Sequence, residues 1–124
     1  MPVVEIRVND SQVKKFVRSL KDKYADSNLP GVFGIPRGGL VPAVMISHAL
    51  NIPLLLAPVE GCLIVDDVCD SGESLLHYVR DSSGTKSKKY LVATIYCKEG
   101  AAVTPDLFLY TKKDNTWLVF PWEI

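Results

Sequence analysis

Acidic residues follow a short apolar run near the middle of the chain, Leu63 to Val65. Asp66 and Asp67 come directly after that run, and Asp70 follows three residues later. Carboxylates at this spacing would raise one another's pKa and cost stability, so a cation or a set of sugar hydroxyls that shares the charge would explain them. The run is too short to distinguish strand from helix by periodicity. The acid pair and the Asp70-Ser71-Gly72 break that follow Val65 favour a buried strand that ends there at an acidic turn.

The four residues after Asp70, Ser71-Gly72-Glu73-Ser74, are predicted to begin a short helix that ends near Arg80. A hydroxyl residue and a glycine at a helix N-terminus leave backbone N–H groups free at the positive end of the helix dipole. Such a position suits a phosphate group. We therefore predict an anion site directly beside the acidic residues.

A second candidate anion site lies in the loop Gly34 to Leu40, between an apolar run, Val32 to Ile35, and a predicted helix, Leu40 to Leu50. Glycines such as Gly38 allow the backbone to approach an anion closely, and Arg37 supplies a fixed positive charge. The spacing differs from that of a Walker loop. Both candidate sites follow strands, and the C-terminal ends of strands are where open α/β sheets bind ligands.

Composition and charge narrow the classes of function. The 124 residues, 48% of them hydrophobic, predict a single domain over residues 1–124. Fourteen basic and fourteen acidic residues cancel, so we expect a small-molecule ligand and no nucleic-acid partner. No apolar run is long enough for a membrane span, and no signal peptide is visible, so a cytoplasmic location without membrane attachment is expected. Three cysteines without a Cys-x-x-Cys pair indicate reduced thiols, with Cys62 and Cys97 in or near the core.

The remaining segments supply the elements that would position these sites. Alternation predicts an edge strand from Val4 to Val8, and apolar residues at helical spacing predict a helix after Asn9 to Ser11. Further strands are expected at Tyr90 to Tyr96 and Leu107 to Tyr110. Leu54 to Leu56 is expected to be either a buried strand or an apolar edge. Asp81 to Lys89 is expected to be a solvated loop. His48 and His77 have no partner at metal-ligand spacing and are expected to be ordinary helix residues.

The acidic strand and its Asp70-Ser71-Gly72 loop resemble the ribose-phosphate signature of the type I phosphoribosyltransferases, and Arg37-Gly38-Gly39 resembles the pyrophosphate loop of that family. In the family, the peptide before the basic residue is often cis. The resemblance implies an α/β fold with a mostly parallel central sheet flanked by helices and a reduced hood. It also implies 5-phosphoribosyl diphosphate (PRPP) as substrate and Mg²⁺ as cofactor.

By matched position, the resemblance implies a role for each residue of these loops. Asp66 and Asp67 would hold the ribose hydroxyls and the Mg²⁺ shell, and Asp70 would be the general base toward N7 of a purine. The 5′-phosphate would lie against the loop from Asp70 through Ser71, Gly72, Glu73 and Ser74. The pyrophosphate would lie against Arg37, Gly38 and Gly39.

The C-terminal segment Asp114 to Trp122 resembles the tail of the xanthine-guanine branch of this family. That resemblance implies that Trp117 stacks on the base, Lys98 bonds the purine O6, and the backbone of Leu118 reads the exocyclic position. Trp122 is expected to be a packing residue. The implied reaction joins N9 of guanine, xanthine or hypoxanthine to the ribose, and releases pyrophosphate and a nucleoside monophosphate. A homo-oligomer, a dimer, is expected.

The sequence departs from the family in two places and leaves two alternatives open. The segment Leu54 to Glu60 is short where the family inserts a flexible flap that excludes water, and Glu73 stands where glycine is frequent. A non-catalytic PRPP or nucleotide sensor would use the same fold. A phosphoacceptor receiver domain also places acids and a lysine at strand ends, although receivers carry their acid pair near the N-terminus.

Overall fold

The computed structural model describes residues 2–80 and 89–123, which form parallel strands flanked by helices. The α/β fold class predicted from the sequence is therefore confirmed. The elements, in chain order, are β1 (Val4–Arg7), α1 (Asp10–Tyr24), β2 (Val32–Gly34), α2 (Leu40–Leu50), β3 (Leu63–Cys69), α3 (Glu73–Val79), β4 (Leu91–Lys98), β5 (Leu107–Lys112) and β6 (Thr116–Val119). The loop predicted at Asp81 to Lys89 lies, except for Lys89, outside the described residues. Within the described ranges, no helix has the length and apolar character needed to cross a bilayer.

The central sheet has four parallel strands in the order β2-β3-β4-β5. Because all four run in the same direction, their C-terminal ends meet at one edge of the sheet, where ligands of α/β proteins bind. The register pairs Cys69 of β3 with Cys97 of β4, and Lys98 of β4 with Lys112 of β5. Strands β1 and β6 pair in parallel as a separate two-stranded sheet, so the predicted N-terminal strand is present but does not join the central sheet.

Helix α1 packs its apolar stripe against the core. Asn9 caps its N-terminus, because its side chain accepts a hydrogen bond from Gln12 N while the Gln12 side chain accepts one from Asn9 N. The buried residues are those that the helical spacing predicts, namely Val13, Phe16, Val17, Leu20 and Tyr24. All three cysteines are buried and free of disulfides.

The structure corrects one prediction about strands and decides between the alternatives of another. Strand β3 does not end at Val65 but continues through both acids to Cys69, because β4 pairs with it as far as Cys97. Leu54 makes only an isolated bridge to Val32, and Leu56 is 98% exposed, so the segment Leu54 to Leu56 is an apolar edge and not a buried strand. The sequence left both alternatives open because an apolar run indicates burial without saying what covers it.

Candidate active site

The Arg37-Gly38-Gly39 loop lies directly against the acidic strand. The Ile35 N–H donates to Val65 O at 2.9 Å, which ties the start of the loop to β3. A Cβ atom added at Gly38 would overlap the Asp67 carboxylate, so glycine is required for this approach. The peptide bond between Pro36 and Arg37 is cis, as the family resemblance implies.

A cavity of about 540 Å³ opens between this loop and the C-terminal tail. Its lining residues are Arg37, Gly38, Asp67, Trp122 and Glu123. The cavity brings a guanidinium and two carboxylates to one space. A divalent cation could therefore bind beside an anionic group there, because carboxylate oxygens suit the cation and the guanidinium suits the anion.

Asp67 of β3 lines this cavity, and the preceding residue, Asp66, lines a smaller cavity beside the loop after β3. The Asp66 carboxylate accepts a hydrogen bond from Asp67 N at 2.9 Å, and the Asp67 carboxylate accepts one from Val68 N at 2.7 Å. Burial, followed by the neighbouring Asp67 carboxylate, raises the pKa of Asp66 to about 8, and burial also raises the pKa of Asp67. In the part of the chain that the structure describes, no lysine or arginine forms an ion pair with either acid. The pair therefore favours a proton or a metal cation.

The raised pKa of Asp66 predicts how the stability of the ligand-free protein depends on pH. A carboxyl group whose pKa is higher in the folded state stabilises the fold fully below its unfolded value of 3.8, and this stabilisation is lost as the pH rises toward about 8. We expect the free energy of unfolding to fall, on the order of 3 kcal/mol, between about pH 4 and pH 8. Urea unfolding across this range measures the fall, and Asp66→Asn should flatten it. If the free energy of unfolding depended on pH equally in the two proteins, Asp66 would not be the source of the fall.

The loop after β3 is held by the segment that follows β4. Gly72 has φ of 85°, which favours glycine, and a Cβ atom there would come within 2.8 Å of Ala102 N and Val103 N. The Ala102 N–H donates to Ser71 O at 2.7 Å. The Glu73 side chain is exposed, so its carboxylate is not buried against this loop. The loop leaves a small cavity of about 80 Å³ that Asp66, Asp70, Ser71, Gly72 and Ser74 help to line.

Of the residues predicted to recognise a base, Lys98 lies at the C-terminal edge of the central sheet, whereas Trp117 and Leu118 lie on β6 of the separate two-stranded sheet. Lys98 ends β4, and its ammonium group is 3.0 Å from Asp114 Oδ1. This hydrogen-bonded ion pair, together with the Asp70 carboxylate, raises the pKa of Lys98. Trp117 is 64% exposed on β6, whereas Leu118 is buried. No described contact joins Trp117 to Lys98, so the structure does not bring these two residues together.

Two charged residues near the site were not predicted from the sequence. Glu123 lines the 540 Å³ cavity, and its carboxylate accepts a hydrogen bond from Phe120 N at 3.1 Å while contributing to the raised pKa of Asp67. Its position directly after the Pro-Trp pair of the tail was the only available signal. Lys112 forms an ion pair with Asp70 at 3.4 Å. Lys112 and Asp70 are far apart in the sequence, so no sequence pattern indicated this contact.

Comparisons with known proteins agree with this geometry, although no family model matches the chain. The xanthine-guanine phosphoribosyltransferase of Cereibacter sphaeroides is 31% identical over 119 residues, covering 75% of this chain and 68% of the relative. The crystal structure of a purine phosphoribosyltransferase from Pyrococcus horikoshii has a TM-score of 0.80 and 26% identity, covering 97% of this chain and 95% of that one. A Helicobacter pylori xanthine-guanine-hypoxanthine phosphoribosyltransferase, at 19% identity and a TM-score of 0.72, shows the same fold.

Proposed function

The chain belongs to the xanthine-guanine phosphoribosyltransferases, type I phosphoribosyltransferases and thus glycosyltransferases, and we propose that it transfers the 5-phosphoribosyl group of PRPP to N9 of guanine, xanthine or hypoxanthine. The observation that carries the proposal is that the Arg37 loop packs against the acid pair of β3. Gly38 lies so close to the Asp67 carboxylate that no side chain would fit at position 38. A site of this kind can bind both the ribose and the pyrophosphate, the two groups that the breaking bond joins.

In the proposed reaction a bond forms between N9 of the base and C1 of the ribose while the bond from C1 to the pyrophosphate oxygen breaks. The transition state carries positive charge on the ribose, so fixed carboxylates near C1 stabilise it. Asp66 and Asp67 hold the ribose hydroxyls, and Asp70 accepts the proton that the base loses at N7. The backbone from Ser71 to Ser74 binds the 5′-phosphate, while residues 37–39 bind the pyrophosphate.

The residues present fit Mg²⁺ as the cofactor. Among the described residues no group of three or more His, Cys, Asp or Glu side chains forms a cage for a metal ion. Mg²⁺ is commonly held by one or two carboxylates together with substrate oxygens and water, and Asp66 and Asp67 supply such a pair. When bound, Mg²⁺ would neutralise charge on the leaving pyrophosphate.

The three free thiols suit a reducing compartment, so the proposal places the reaction in the cytoplasm.

The short segment Leu54 to Glu60 favours a second candidate, a PRPP or nucleotide sensor that binds without turnover. Since 75% of a 124-residue chain is fewer than 119 residues, the alignment with the Cereibacter relative includes positions where this chain has no residue. A missing cover would leave the reacting centre wet and slow the chemistry. Initial rates of pyrophosphate release with Mg-PRPP and each of guanine, xanthine, hypoxanthine and adenine separate the two functions. Rates above background with a 6-oxopurine support the enzyme, and binding without release supports the sensor.

Recognition of the base gives a sharper prediction. An ammonium group at Lys98 donates to O6 of a 6-oxopurine but has nothing to accept from an adenine amine. Trp117, with its exposed ring, would contribute about 1 to 3 kcal/mol by stacking on the base. In a Trp122→Phe background, GMP is therefore expected to quench Trp117 fluorescence much more than AMP does. The Lys98→Ala variant should reduce that difference. Equal quenching by GMP and AMP would remove the grounds for assigning a 6-oxopurine.

The exposed face of α2 supports a homodimer. This helix contains no Asp, Glu, Lys or Arg, and its outward residues Leu40, Val41 and Val44 are about two-fifths exposed. The uncharged segment Ile52 to Val59 adds the fully exposed Leu56. Apart from Ser47 and the exposed His48 the helix is apolar, and an exposed apolar face of this kind is normally covered by another surface. A second copy of a face without acidic residues, lysine or arginine meets little charge repulsion.

If this face is the dimer interface, Val44→Glu should convert the dimer to monomer, because burying two new carboxylates at a symmetric contact is costly. Sedimentation velocity measures the change. Val3→Glu, at an exposed valine just before β1, is the matched control and should leave the dimer intact. Where the partner helps to cover the reacting centre, the monomeric variant should also lose turnover. A monomeric parent protein would contradict the prediction.

A further inference from the structure

Lys112 occupies a position that the proposed mechanism does not yet use. It ends β5 and is the register partner of Lys98, so two lysines stand side by side at the edge of the sheet. Their environments differ. The Lys112 side chain is 10% exposed, against 36% for Lys98. Lys112 is therefore held by the fold, whereas Lys98 extends further toward solvent.

The Lys112 ammonium group has two described partners. It is 3.4 Å from Asp70 Oδ1, and it donates to the backbone oxygen of Lys113, also at 3.4 Å. A lysine that is largely removed from water needs a compensating anion. Asp70 is the carboxylate that forms a described ion pair with it. This contact joins the end of β5 to the loop after β3.

The Asp70 side chain by itself has little to hold it. It lies in the loop between β3 and α3, and it is 57% exposed. An exposed carboxylate can rotate, and a general base is effective only when it faces the proton that it accepts. The largely buried lysine holds one carboxylate oxygen, and no contact among the described residues involves the other. The more rigid partner therefore sets the orientation of the more mobile one.

We propose that Lys112 is a positioning residue that orients the Asp70 carboxylate toward the base. This inference rests on the proposed function, in which Asp70 accepts the proton from N7 of the purine. Lys112 acts through Asp70 and does not contact the substrate. It also ties β5 to the phosphate loop, so removing its charge loosens the proton acceptor without removing it.

Steady-state kinetics of charge-removing variants tests the proposal. Lys112→Met is expected to lower kcat about 10-fold while changing the KM for PRPP less than about 2-fold, because orientation affects the transition state more than binding. Lys112→Arg, which retains a cation, should restore kcat to within about 3-fold of the parent. Lys113→Met removes the same charge from the neighbouring exposed lysine and should stay within about 2-fold of the parent. Lys112→Gln replaces Lys112→Met if urea unfolding shows that methionine prevents folding.

A double-mutant cycle with Asp70→Asn separates positioning from a general structural role. If Lys112 acts through Asp70, Lys112→Met in the Asp70→Asn background causes less than about 2-fold further loss. If the losses in kcat caused by Lys112→Met and Asp70→Asn multiplied in the double variant, the proposal would be overturned. A Lys112→Met protein with parental kcat would also overturn it. If the parent turns over no 6-oxopurine, the proposed function fails and this inference fails with it. Parental turnover that Lys112→Met leaves unchanged overturns only the inference.

Discussion

Replacing both Asp66 and Asp67 with asparagine is expected to abolish Mg-PRPP binding and, near pH 8, to leave the fold at least as stable as before. The two carboxylates are the proposed ribose and Mg²⁺ ligands, and losing two charge-assisted contacts weakens binding roughly 100-fold or more. In the ligand-free protein, the same change removes two crowded, half-buried acids whose pKa values are raised by burial. Binding and stability should therefore change in opposite directions.

Titration calorimetry with Mg-PRPP and urea unfolding measure the two effects. The matched control is Asp22→Asn with Asp26→Asn, which removes two negative charges from exposed positions at the end of α1 and after it. That control should bind Mg-PRPP with nearly parental affinity. Parental affinity in the Asp66→Asn, Asp67→Asn protein would show that the acid pair is not the ribose site.

The second large effect is expected at Asp70. Asparagine keeps the size of the side chain but does not accept a proton as a carboxylate does, so Asp70→Asn should lower kcat by about 100-fold to 10,000-fold. Binding of Mg-PRPP should change little, because in the proposed function residues 71–74 bind the 5′-phosphate mainly through their backbone. Rates of nucleotide formation with each 6-oxopurine measure the loss.

Glu73→Gln is the control for Asp70→Asn, since it removes a carboxylate from the same loop. The Glu73 side chain is exposed, and we expect its variant to stay within about 3-fold of the parent. If Glu73→Gln were as impaired as Asp70→Asn, the effect would belong to the charge of the loop and not to one proton acceptor.

Local patterns predict much of this fold because they repeat within one element. The apolar spacing of α1 places the same five residues in the core that the structure buries, and Asn9 caps the helix as its residue type suggests. The order of strands and helices follows from alternating apolar runs and turns. By contrast, the extension of β3 to Cys69 depends on pairing with β4, which is distant in the sequence.

In the candidate site, too, the features within one segment could be predicted from the sequence, and the contacts between distant segments could not. The types and spacing of Asp66 to Ser74 indicate an acid site beside an anion site, since all of these residues belong to one strand-loop-helix unit. The contact between Lys112 and Asp70 joins residues 42 positions apart and depends on the register between strands. Glu123 reaches Asp67 only because the tail returns to the edge of the sheet. Contacts of this kind need the folded chain.

The most direct test of the proposed function is ³¹P NMR of the purified protein with Mg²⁺, PRPP and guanine. The proposal predicts that the diphosphate signals of PRPP disappear while those of free pyrophosphate and of a nucleoside monophosphate grow together. Adenine in place of guanine should leave the PRPP signals unchanged, apart from slow hydrolysis. Persistent PRPP signals with guanine, xanthine and hypoxanthine alike would contradict the assignment of this chain as a 6-oxopurine phosphoribosyltransferase.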